Sequence, residues 1–348
     1  MGVILSAFSI ILAGGKGSRM GDSRLPKALQ RFRGHPLLWW LVRAINNSYG
    51  IRKPVIVVGY QGQQIQEVFG PGYAYPIQDQ EGLGGTGAAL QACIPWIRHL
   101  EDNTPVLVCY TDQPCIMPQT LDGIVELYFK GHPAAVFATT RVSDFEDWRR
   151  SFQDFGRVIR DKDGRLAKIV EAREAIRMQL SGDGELNVGI YCFRASWLQE
   201  WLSRIPPDPE TGELYITWLV KMAAQQGEHV VTFSVPPEQA VGVNSPEDML
   251  AAENLAKQEK KRKYEAVRKY VHMMRERDNI QPADLGYESR FEPSCISRGV
   301  RGEARNLIDG QLMRTHEGHG DWLQLEDPIV LEEAYIEVCE RIAGRSRG

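Results

Sequence analysis

A glycine-rich segment near the start of the chain carries basic residues at a spacing that suits phosphate binding. The segment has the sequence LAGGKGSRM over residues 12–20, and Pro26-Lys27 follows it. Glycines let backbone N–H groups approach a phosphate closely, and Arg and Lys supply the positive charge that a triphosphate needs. Neither GxxxxGK(S/T) nor GxGxxG is present at this position, so a Walker loop is not indicated. The segment instead predicts a triphosphate-binding loop in which Arg19 holds phosphate oxygens and Lys27 offsets charge that builds up during transfer.

The elements that must position this loop are predicted from the hydrophobic pattern. Short continuous apolar runs are typical of strands that are buried on both faces of a sheet. Here they alternate with helix-like segments, which predicts an α/β domain with a mainly parallel sheet. Strands are expected at residues 4–12, 55–58, 106–110 and 135–139, and helices at 36–47, 87–100 and 121–129.

The pattern changes after Ser143. Residues 143–154 are charged and aromatic and predict an inserted helix. The sequence DKDG at 161–164 lies between two strand-like segments and therefore predicts a β-hairpin. Antiparallel additions of this kind predict a small substrate lobe beside the parallel sheet. Further elements are expected as strands at 157–160, 166–170, 186–193 and 230–235, and as a helix at 214–225.

The C-terminal part of the chain is predicted to be a helical extension. Ser245-Pro246-Glu247-Asp248 offers a cap, a proline at the first helical position and acids in the first turn, so a helix is expected from 245 to about 277. An amphipathic helix is expected at 328–342, and the sequence indicates no role for 279–348. We therefore predict a domain over 1–250 and an extension over 251–348.

The composition limits the classes of function that need to be considered. A net charge of -4 over 348 residues gives no bias toward nucleic acid or an anionic membrane. The six cysteines lack CxxC spacing, so they indicate a reducing, cytoplasmic setting rather than a disulfide framework or a zinc ribbon. No apolar run approaches the roughly 20 residues that span a bilayer. A homo-oligomer is compatible with the sequence, which does not define the oligomeric state.

The glycine-rich segment and the downstream Pro26-Lys27 resemble the signature of the sugar-1-phosphate nucleotidyltransferases, which are pyrophosphorylases of the MobA-like NTP transferase superfamily. The resemblance covers about residues 4–255 and is greatest to the uridyltransferase domain that activates N-acetylglucosamine 1-phosphate. It implies a Rossmann-like sheet with helices on both faces and an added sugar-binding lobe. It also implies Mg²⁺ as cofactor, with a nucleoside triphosphate (UTP favoured) and a sugar 1-phosphate as substrates.

The same resemblance assigns roles to individual residues. It implies that Arg19 and Lys27 are catalytic and that Asp112 and Asn244 bind Mg²⁺. It implies a sugar site formed by Gly156, Glu171 and Asn187. The nucleotide-binding residues that it implies are Leu12, Ala13, Gly14, Gly15, Lys16, Gln80, Gly85 and Thr86, with Gln80 contacting the edge of the base.

Other interpretations of these residues stay open at this point. Taken alone, Asp112 could cap a helix, Asn244 could be a turn residue and Glu171 could be a surface acid. The sequence also departs from the family pattern at Trp218, where an aspartate is expected, and at 141–155, which look inserted. A guanylyltransferase for the molybdenum cofactor, a cytidylyltransferase for a phospho-alcohol, and a non-catalytic nucleotide sensor are the alternatives. The tail lacks hexapeptide repeats, so no acetyltransferase half is expected.

Overall fold

The computed structural model describes residues 6–20, 24–79, 82–180 and 184–258. Residues Met1–Ala256 form one compact unit. Gln80 and the predictions for 279–348 lie outside the described residues. The strands are β1 (Phe8–Leu12), β2 (Arg31–Phe32), β3 (His35–Pro36), β4 (Val55–Val57), β5 (Pro105–Tyr110), β6 (Ala135–Arg141), β7 (Gly156–Arg160), β8 (Leu166–Val170), β9 (Glu185–Arg194) and β10 (Val230–Ser234).

The helices lie between these strands along the chain. They are α1 (Leu37–Asn46), α2 (Gly62–Phe69), α3 (Gly85–Gln91), α4 (Ile94–Ile97), α5 (Pro118–Phe129), α6 (Ala172–Arg177), α7 (Ala195–Trp201), α8 (Thr217–Gln225) and α9 (Pro237–Ala240). Four 3₁₀ helices cover Ser18–Met20, Lys27–Leu29, Asp147–Asp154 and Leu202–Arg204. A further helix starts at 246 and reaches 258, the last residue described.

The central sheet has the strand order β10-β6-β9-β5-β1-β4. Strand β1 is parallel to β4 and β5, and β10 is parallel to β6. Strand β9 runs antiparallel between β5 and β6, so the other strands of this path all point the same way. The apolar runs that predicted the strands are buried, with Ile10, Val108 and Phe137 fully inaccessible. The predicted class, an α/β fold with a mainly parallel sheet, is confirmed.

The predicted hairpin is also confirmed. Strand β7 pairs antiparallel with β8, and β7 joins the central sheet by pairing with β9. The Asp161 carboxylate accepts hydrogen bonds from the backbone N–H groups of Asp163 and Arg165, both at 2.9 Å. Gly164 closes the turn with φ +76°, in the left-handed region that glycine enters at little cost.

Two helix predictions need correction. The helix expected at 87–100 is broken into α3 and α4, because Pro95 lies at the start of α4 and cannot continue a helix from α3. The insertion at 143–154 forms a 3₁₀ helix over Asp147–Asp154 rather than an α-helix. The buried rings of Phe152 and Phe155 hold the C-terminal end of this short segment, and 3₁₀ winding is used mainly in such short pieces.

The helix at 246–258 is capped as its sequence predicts. The Ser245 hydroxyl accepts a hydrogen bond from the backbone N–H of Asp248 at 3.1 Å. Ala252 and Leu255 are buried, and the Glu253 carboxylate accepts a hydrogen bond from the backbone N–H of Arg33 at 3.1 Å. The predicted boundary at residue 250 falls inside this helix, and the division into a domain and an extension stays a prediction.

Candidate active site

The predicted phosphate loop leaves the sheet at the carboxyl end of β1. Leu12 pairs with Val57 of β4 and with Tyr110 of β5, so the loop starts between two neighbouring strands. The Ala13 N–H donates to the Val57 carbonyl at 2.8 Å, which fixes the first residue after the strand. Ligands of open parallel sheets bind outside the carboxyl ends of the strands, so the loop is in the expected place for a nucleotide.

Lys27, Asp112 and Asn244 converge at this edge of the sheet. The Lys27 Nζ donates to Asp112 Oδ2 at 2.9 Å and to Asn244 Oδ1 at 2.6 Å. The side chains of Lys27 and Asp112 are only 13% and 23% exposed, so their interaction is partly shielded from water. Three residues that are far apart in the sequence therefore share one charged centre, which we call the Lys27 centre.

Backbone contacts hold the parts of the Lys27 centre together. The Val243 N–H donates to the Asp112 carbonyl at 2.7 Å, which aligns the segment before Asn244 with the end of β5. The Asn244 N–H donates to Asp248 Oδ2 at 3.0 Å. Gly17 has φ +65°, and a Cβ at this position would lie 2.7 Å from the Lys27 Cβ. The glycine thus lets the loop contact the backbone of Lys27 directly.

The basic residues of the loop itself are exposed. Gly15, Lys16 and Arg19 face solvent, whereas Leu12 and Ala13 are buried. Lys16 makes no hydrogen bond or ion pair within the described part of the chain, while Arg19 pairs with Asp154. An exposed pair of cations at the mouth of a glycine loop is suited to the outer phosphates of a triphosphate.

A second glycine-rich segment lies at the start of α3, where Gly85 and Thr86 were predicted to lie near the base. Gly85 has φ +96°, and a Cβ there would lie 2.4 Å from the Leu214 carbonyl oxygen. The Gly87 N–H donates to that carbonyl at 2.7 Å, and Thr86 Oγ1 accepts from the Ile216 N–H at 3.1 Å. The segment is therefore docked tightly on residues 214–216.

Gln78 is a candidate site residue that the sequence interpretation missed. It is 9% exposed, and its Nε2 donates to the Gly85 carbonyl at 3.4 Å. Its Oε1 lies 2.4 Å from the place that a Cβ on Gly14 would occupy. Gln78 thus lies between the phosphate loop and the second glycine segment, whereas Gln80 lies outside the described residues. The feature that could have identified Gln78 is its position directly after Ile77, which pairs with Val58 just beyond the end of β4.

The predicted sugar residues lie on the lobe that β7 and β8 add to the sheet. Gly156 pairs with Asn187 across β7 and β9. The Asn187 Nδ2 donates to Tyr191 Oη at 2.7 Å. A Cβ on Gly156 would lie 3.2 Å from the Val170 carbonyl oxygen, so the glycine keeps β8 close. We call β7, β8, Glu171 and Asn187 the acceptor lobe.

Glu171 is partly shielded from solvent and lies among other polar side chains. Its carboxylate accepts a hydrogen bond from the Thr217 hydroxyl. Burial raises the pKa of Glu171; the Thr217 hydroxyl opposes this shift, and the nearby carboxylates of Asp208, Glu174 and Glu213 add to it. A carboxyl in this environment is suited to hydrogen bonding with a neutral hydroxyl or amide group, as on a sugar.

Tyrosine side chains connect the acceptor lobe with the second glycine segment. The Tyr110 hydroxyl interacts with both Thr86 and Tyr191, and Tyr191 accepts from Asn187. Tyr191 is fully buried and Tyr110 is partly buried, and removal from water raises the pKa of each hydroxyl. Thr86, predicted near the base, and Asn187, predicted for the sugar, are thereby connected through Tyr110 and Tyr191.

Trp218 packs against the apolar core. It lies at the position where an aspartate was expected, and its ring packs near that of Trp201 with 6.1 Å between centroids. It contacts the main apolar cluster, in which Leu214 and Leu219 are buried. Of the residues at the start of α8, Thr217 provides the contact with Glu171.

The described part of the chain contains no group of three or more His, Cys, Asp or Glu side chains that could hold a metal by themselves. Asp112 and Asn244 offer one carboxylate and one amide oxygen. Mg²⁺ is usually bound by one or two carboxylates, with waters and substrate phosphates completing its shell. Within the described ranges, no helix is both long and apolar enough to cross a membrane.

Curated relatives are similar to this chain in sequence. Two curated relatives are named Bifunctional protein GlmU: that of Geobacter metallireducens is 34% identical over 251 residues (72% of this chain and 50% of the relative), and that of Pelotomaculum thermopropionicum is 35% identical over 247 residues (70% and 51%). The chain spans about half the length of these relatives.

Solved structures agree in fold. UDP-glucose pyrophosphorylase complexed with UDP-glucose superposes with a TM-score of 0.57 at 19% identity, covering 73% of this chain and 99% of that chain. A putative glucose-1-phosphate thymidylyltransferase from Bacillus anthracis gives 0.54 at 20% identity, covering 72% and 95%. The MobA-like NTP transferase domain matches residues 9–208, which is more than half of the chain. The chain therefore belongs to the MobA-like NTP transferase family.

Proposed function

We propose that the chain is a Mg²⁺-dependent nucleotidyltransferase that transfers a nucleoside monophosphate to a sugar 1-phosphate and releases pyrophosphate. UTP is the favoured donor, and N-acetylglucosamine 1-phosphate is the first acceptor to test. The observation that carries the proposal is the Lys27 centre, in which the ammonium lies 2.9 Å from Asp112 Oδ2 and 2.6 Å from Asn244 Oδ1 beside a phosphate loop. Membership of the NTP transferase family supports the same class of reaction.

The reaction requires little covalent chemistry from the protein. An oxygen of the acceptor phosphate forms a bond to the α-phosphorus of the triphosphate, while the bond from the α-phosphorus to the bridging oxygen breaks. Pyrophosphate leaves with that electron pair. Positioning and charge stabilisation supply most of the rate in such transfers. The protein must therefore align two phosphorylated substrates and neutralise the charge that they bring together.

The residues present fit a divalent cation. The Lys27 ammonium is a stand-in for a cation, because its Nζ already lies between the oxygens of Asp112 and Asn244. Carboxylate and amide oxygens are the ligands that Mg²⁺ prefers. Asp112 and Asn244 would hold the ion, which when bound supplies Lewis-acid and charge-neutralising chemistry to the phosphates.

The cations of the chain have separate roles in this account. Lys27 is buried enough for its charge to act strongly on the α-phosphate and the acceptor phosphate. Lys16 and Arg19 are exposed at the loop and would hold the β- and γ-phosphates. Because the ammonium of Lys27 contacts the two proposed metal ligands, it has to move toward the phosphates when both substrates are bound.

The choice of substrates rests on the two recognition segments. Gln78 lies beside Gly14 and Gly85, and an amide that can both donate and accept suits the edge of a pyrimidine. Glu171, Asn187 and Gly156 would bind sugar hydroxyls and an acetamide in the acceptor lobe. The fold neighbour complexed with UDP-glucose supports a uridine nucleotide and a sugar as ligands.

The proposal is tested by pyrophosphate release in the presence of Mg²⁺, with UTP, GTP, CTP, ATP and dTTP each paired with a panel of sugar 1-phosphates. Release with UTP and N-acetylglucosamine 1-phosphate, abolished by a chelator and restored by Mg²⁺, is the expected result. Release with another pair would retain the reaction class and correct the substrates. Absence of release with every pair would overturn the proposal.

A further inference from the structure

Asp154 lies at the end of the inserted segment and forms an ion pair with Arg19 of the phosphate loop, 135 residues away in the sequence. Residues 141–155 are one of the segments predicted from the sequence to depart from the family pattern. The insertion therefore brings a negative charge to an arginine that is assigned here to phosphate binding.

The backbone around Asp154 is firmly held. The neighbours Phe152 and Phe155 are buried, with their ring centroids 4.8 Å apart. The buried guanidinium of Arg157 donates to the carbonyl oxygens of both phenylalanines. Positive charge at the C-terminal end of a helical turn is favourable, so Arg157 stabilises the end of the 3₁₀ helix Asp147–Asp154. The position of Asp154 is thus set by packing and not by the exposed ion pair.

The same segment is packed against the Lys27 centre. A Cβ on Gly242 would lie 3.0 Å from Cε1 of the Phe155 ring, so the ring rests directly on this glycine. Gly242 precedes Asn244 by two residues. Phe155 therefore holds the backbone next to Asp154 against the segment that carries a proposed metal ligand.

The Arg19–Asp154 pair contributes little to folding stability. The two side chains are 61% and 46% exposed, and ion pairs in such settings contribute about 0–1 kcal/mol. Its effect on a bound polyanion acts through Arg19, because the carboxylate occupies part of the guanidinium and offsets its positive charge. A guanidinium has five N–H donors, so Arg19 can contact Asp154 and a phosphate together.

We propose that Asp154 is a positioning residue that orients Arg19 and weakens the affinity of this site for pyrophosphate, which promotes departure of the product. The inference rests on the proposed function for the assignment of Arg19 to the outer phosphates. It concerns a residue of the insertion and adds a control on product release to the proposed reaction.

The first test is calorimetric binding of inorganic pyrophosphate, with Mg²⁺ at low ionic strength. Asp154→Asn is expected to bind pyrophosphate about threefold to fivefold more tightly than the wild type. This change in affinity corresponds to the upper end of the interaction energies of exposed ion pairs. Asp147→Asn is the matched control. It removes the same charge from the other end of the same 3₁₀ helix, and Asp147 makes no ion pair within the described residues. Asp147→Asn should change the affinity for pyrophosphate less than twofold. Asp154→Glu retains the negative charge, so it should bind pyrophosphate as weakly as the wild type.

A double-mutant cycle separates action through Arg19 from general charge repulsion. In an Arg19→Gln background, Asp154→Asn should change the affinity by less than twofold, because the residue through which it acts is absent. In steady state, Asp154→Asn should lower both kcat and the KM for the triphosphate. Equal effects of Asp154→Asn and Asp147→Asn, or an undiminished effect in the Arg19→Gln background, would overturn the proposal.

The outcomes also separate this inference from the proposed function. Acceptor-dependent pyrophosphate release without a special effect of Asp154→Asn would retain the function and reject the role of Asp154. If the double-mutant cycle gives the predicted result but no substrate pair releases pyrophosphate, the role of Asp154 is supported and the proposed function is rejected. Failure of pyrophosphate to bind to any variant would overturn the inference.

Discussion

The phosphate side of the site is open and cationic, whereas the proposed sugar ligands Glu171 and Asn187 are less exposed and form hydrogen bonds within the chain. Lys16 and Arg19 face solvent on the first side, and only Lys27 is partly buried there. In the acceptor lobe, Glu171 is bonded to Thr217 and Asn187 to the buried Tyr191. Exposed cations attract a polyanion over a distance and are screened by salt, while buried polar groups recognise shape and hydroxyl positions at contact. The difference predicts that changes on the two sides will alter different kinetic constants.

The largest effect is expected on the phosphate side, at Lys27. Lys27→Ala removes the partly buried charge that stabilises the transition state, so kcat should fall by about 100-fold or more. Steady-state pyrophosphate release measures this change. Lys16→Ala is the control, because Lys16 is an exposed cation of the same loop and should affect mainly the KM for the triphosphate. Unchanged kcat in Lys27→Ala would contradict the role assigned to the Lys27 centre.

A substitution in the acceptor lobe should have a smaller and more selective effect. Glu171→Gln weakens a charge-assisted hydrogen bond to the acceptor, so the KM for the sugar 1-phosphate should rise by about 10-fold. The KM for the triphosphate should stay within twofold, as should both constants in Glu174→Gln on α6. A parallel rise of both KM values would mean that the two sides are not separate.

A substitution that strains the backbone of the second glycine segment should have a smaller effect than the two changes above. Gly85→Ala forces φ +96° on an alanine and places its Cβ 2.4 Å from the Leu214 carbonyl oxygen. Gly164→Ala at φ +76° has no neighbour within 4 Å and carries the conformational cost alone. Both variants should unfold at lower denaturant, and Gly85→Ala should lose about 1 kcal/mol or more beyond the control and raise the KM for the triphosphate. Equal stability of the two variants would show that residues 214–216 do not constrain this segment.

The smallest expected effect is on the pH dependence of stability. Burial raises the pKa of Glu171 above its ordinary value of 4.5 in the folded state. Above pH 4.5, the unfolded chain releases a proton that the folded chain retains, so stability from the neutral carboxyl is lost as pH rises through the folded pKa. Glu171→Gln cannot titrate, and its free energy of unfolding should rise relative to the wild type over this range. Parallel curves in denaturant unfolding at several pH values would contradict a buried, shifted Glu171.

Much of the fold could be predicted because several buried strands consist of continuous apolar runs. Val106, Leu107 and Val108 are fully buried, and a continuous apolar run between helical segments is typical of a strand that is covered on both faces. The α3–α4 break and the 3₁₀ winding of Asp147–Asp154 could not be predicted in the same way. Both depend on local geometry and tertiary packing, to which hydrophobic periodicity is insensitive.

The candidate site, like the fold, could be predicted only in part from the sequence. The family resemblance grouped Lys27, Asp112 and Asn244, and in the structure Asp112 Oδ2 and Asn244 Oδ1 both lie within 2.9 Å of Lys27 Nζ. Gln78 was missed because Gln80 is nearer to the glycine segment in sequence, and the pairing of Ile77 with Val58, which places Gln78 beside β4, is seen only in the structure. Asp154 was missed because its relation to Arg19 depends on the packing of Phe152 and Phe155.

The central claim is that the Lys27 centre joins an acceptor phosphate to the α-phosphorus of a nucleoside triphosphate. The most direct measurement is pyrophosphate release from UTP with Mg²⁺, in the absence and in the presence of N-acetylglucosamine 1-phosphate, with the organic product identified by mass. The account predicts release only when both substrates are present, with formation of the nucleotide sugar in equal amount. Release at the same rate without any acceptor, or no nucleotide sugar with any pair of substrates, would contradict it.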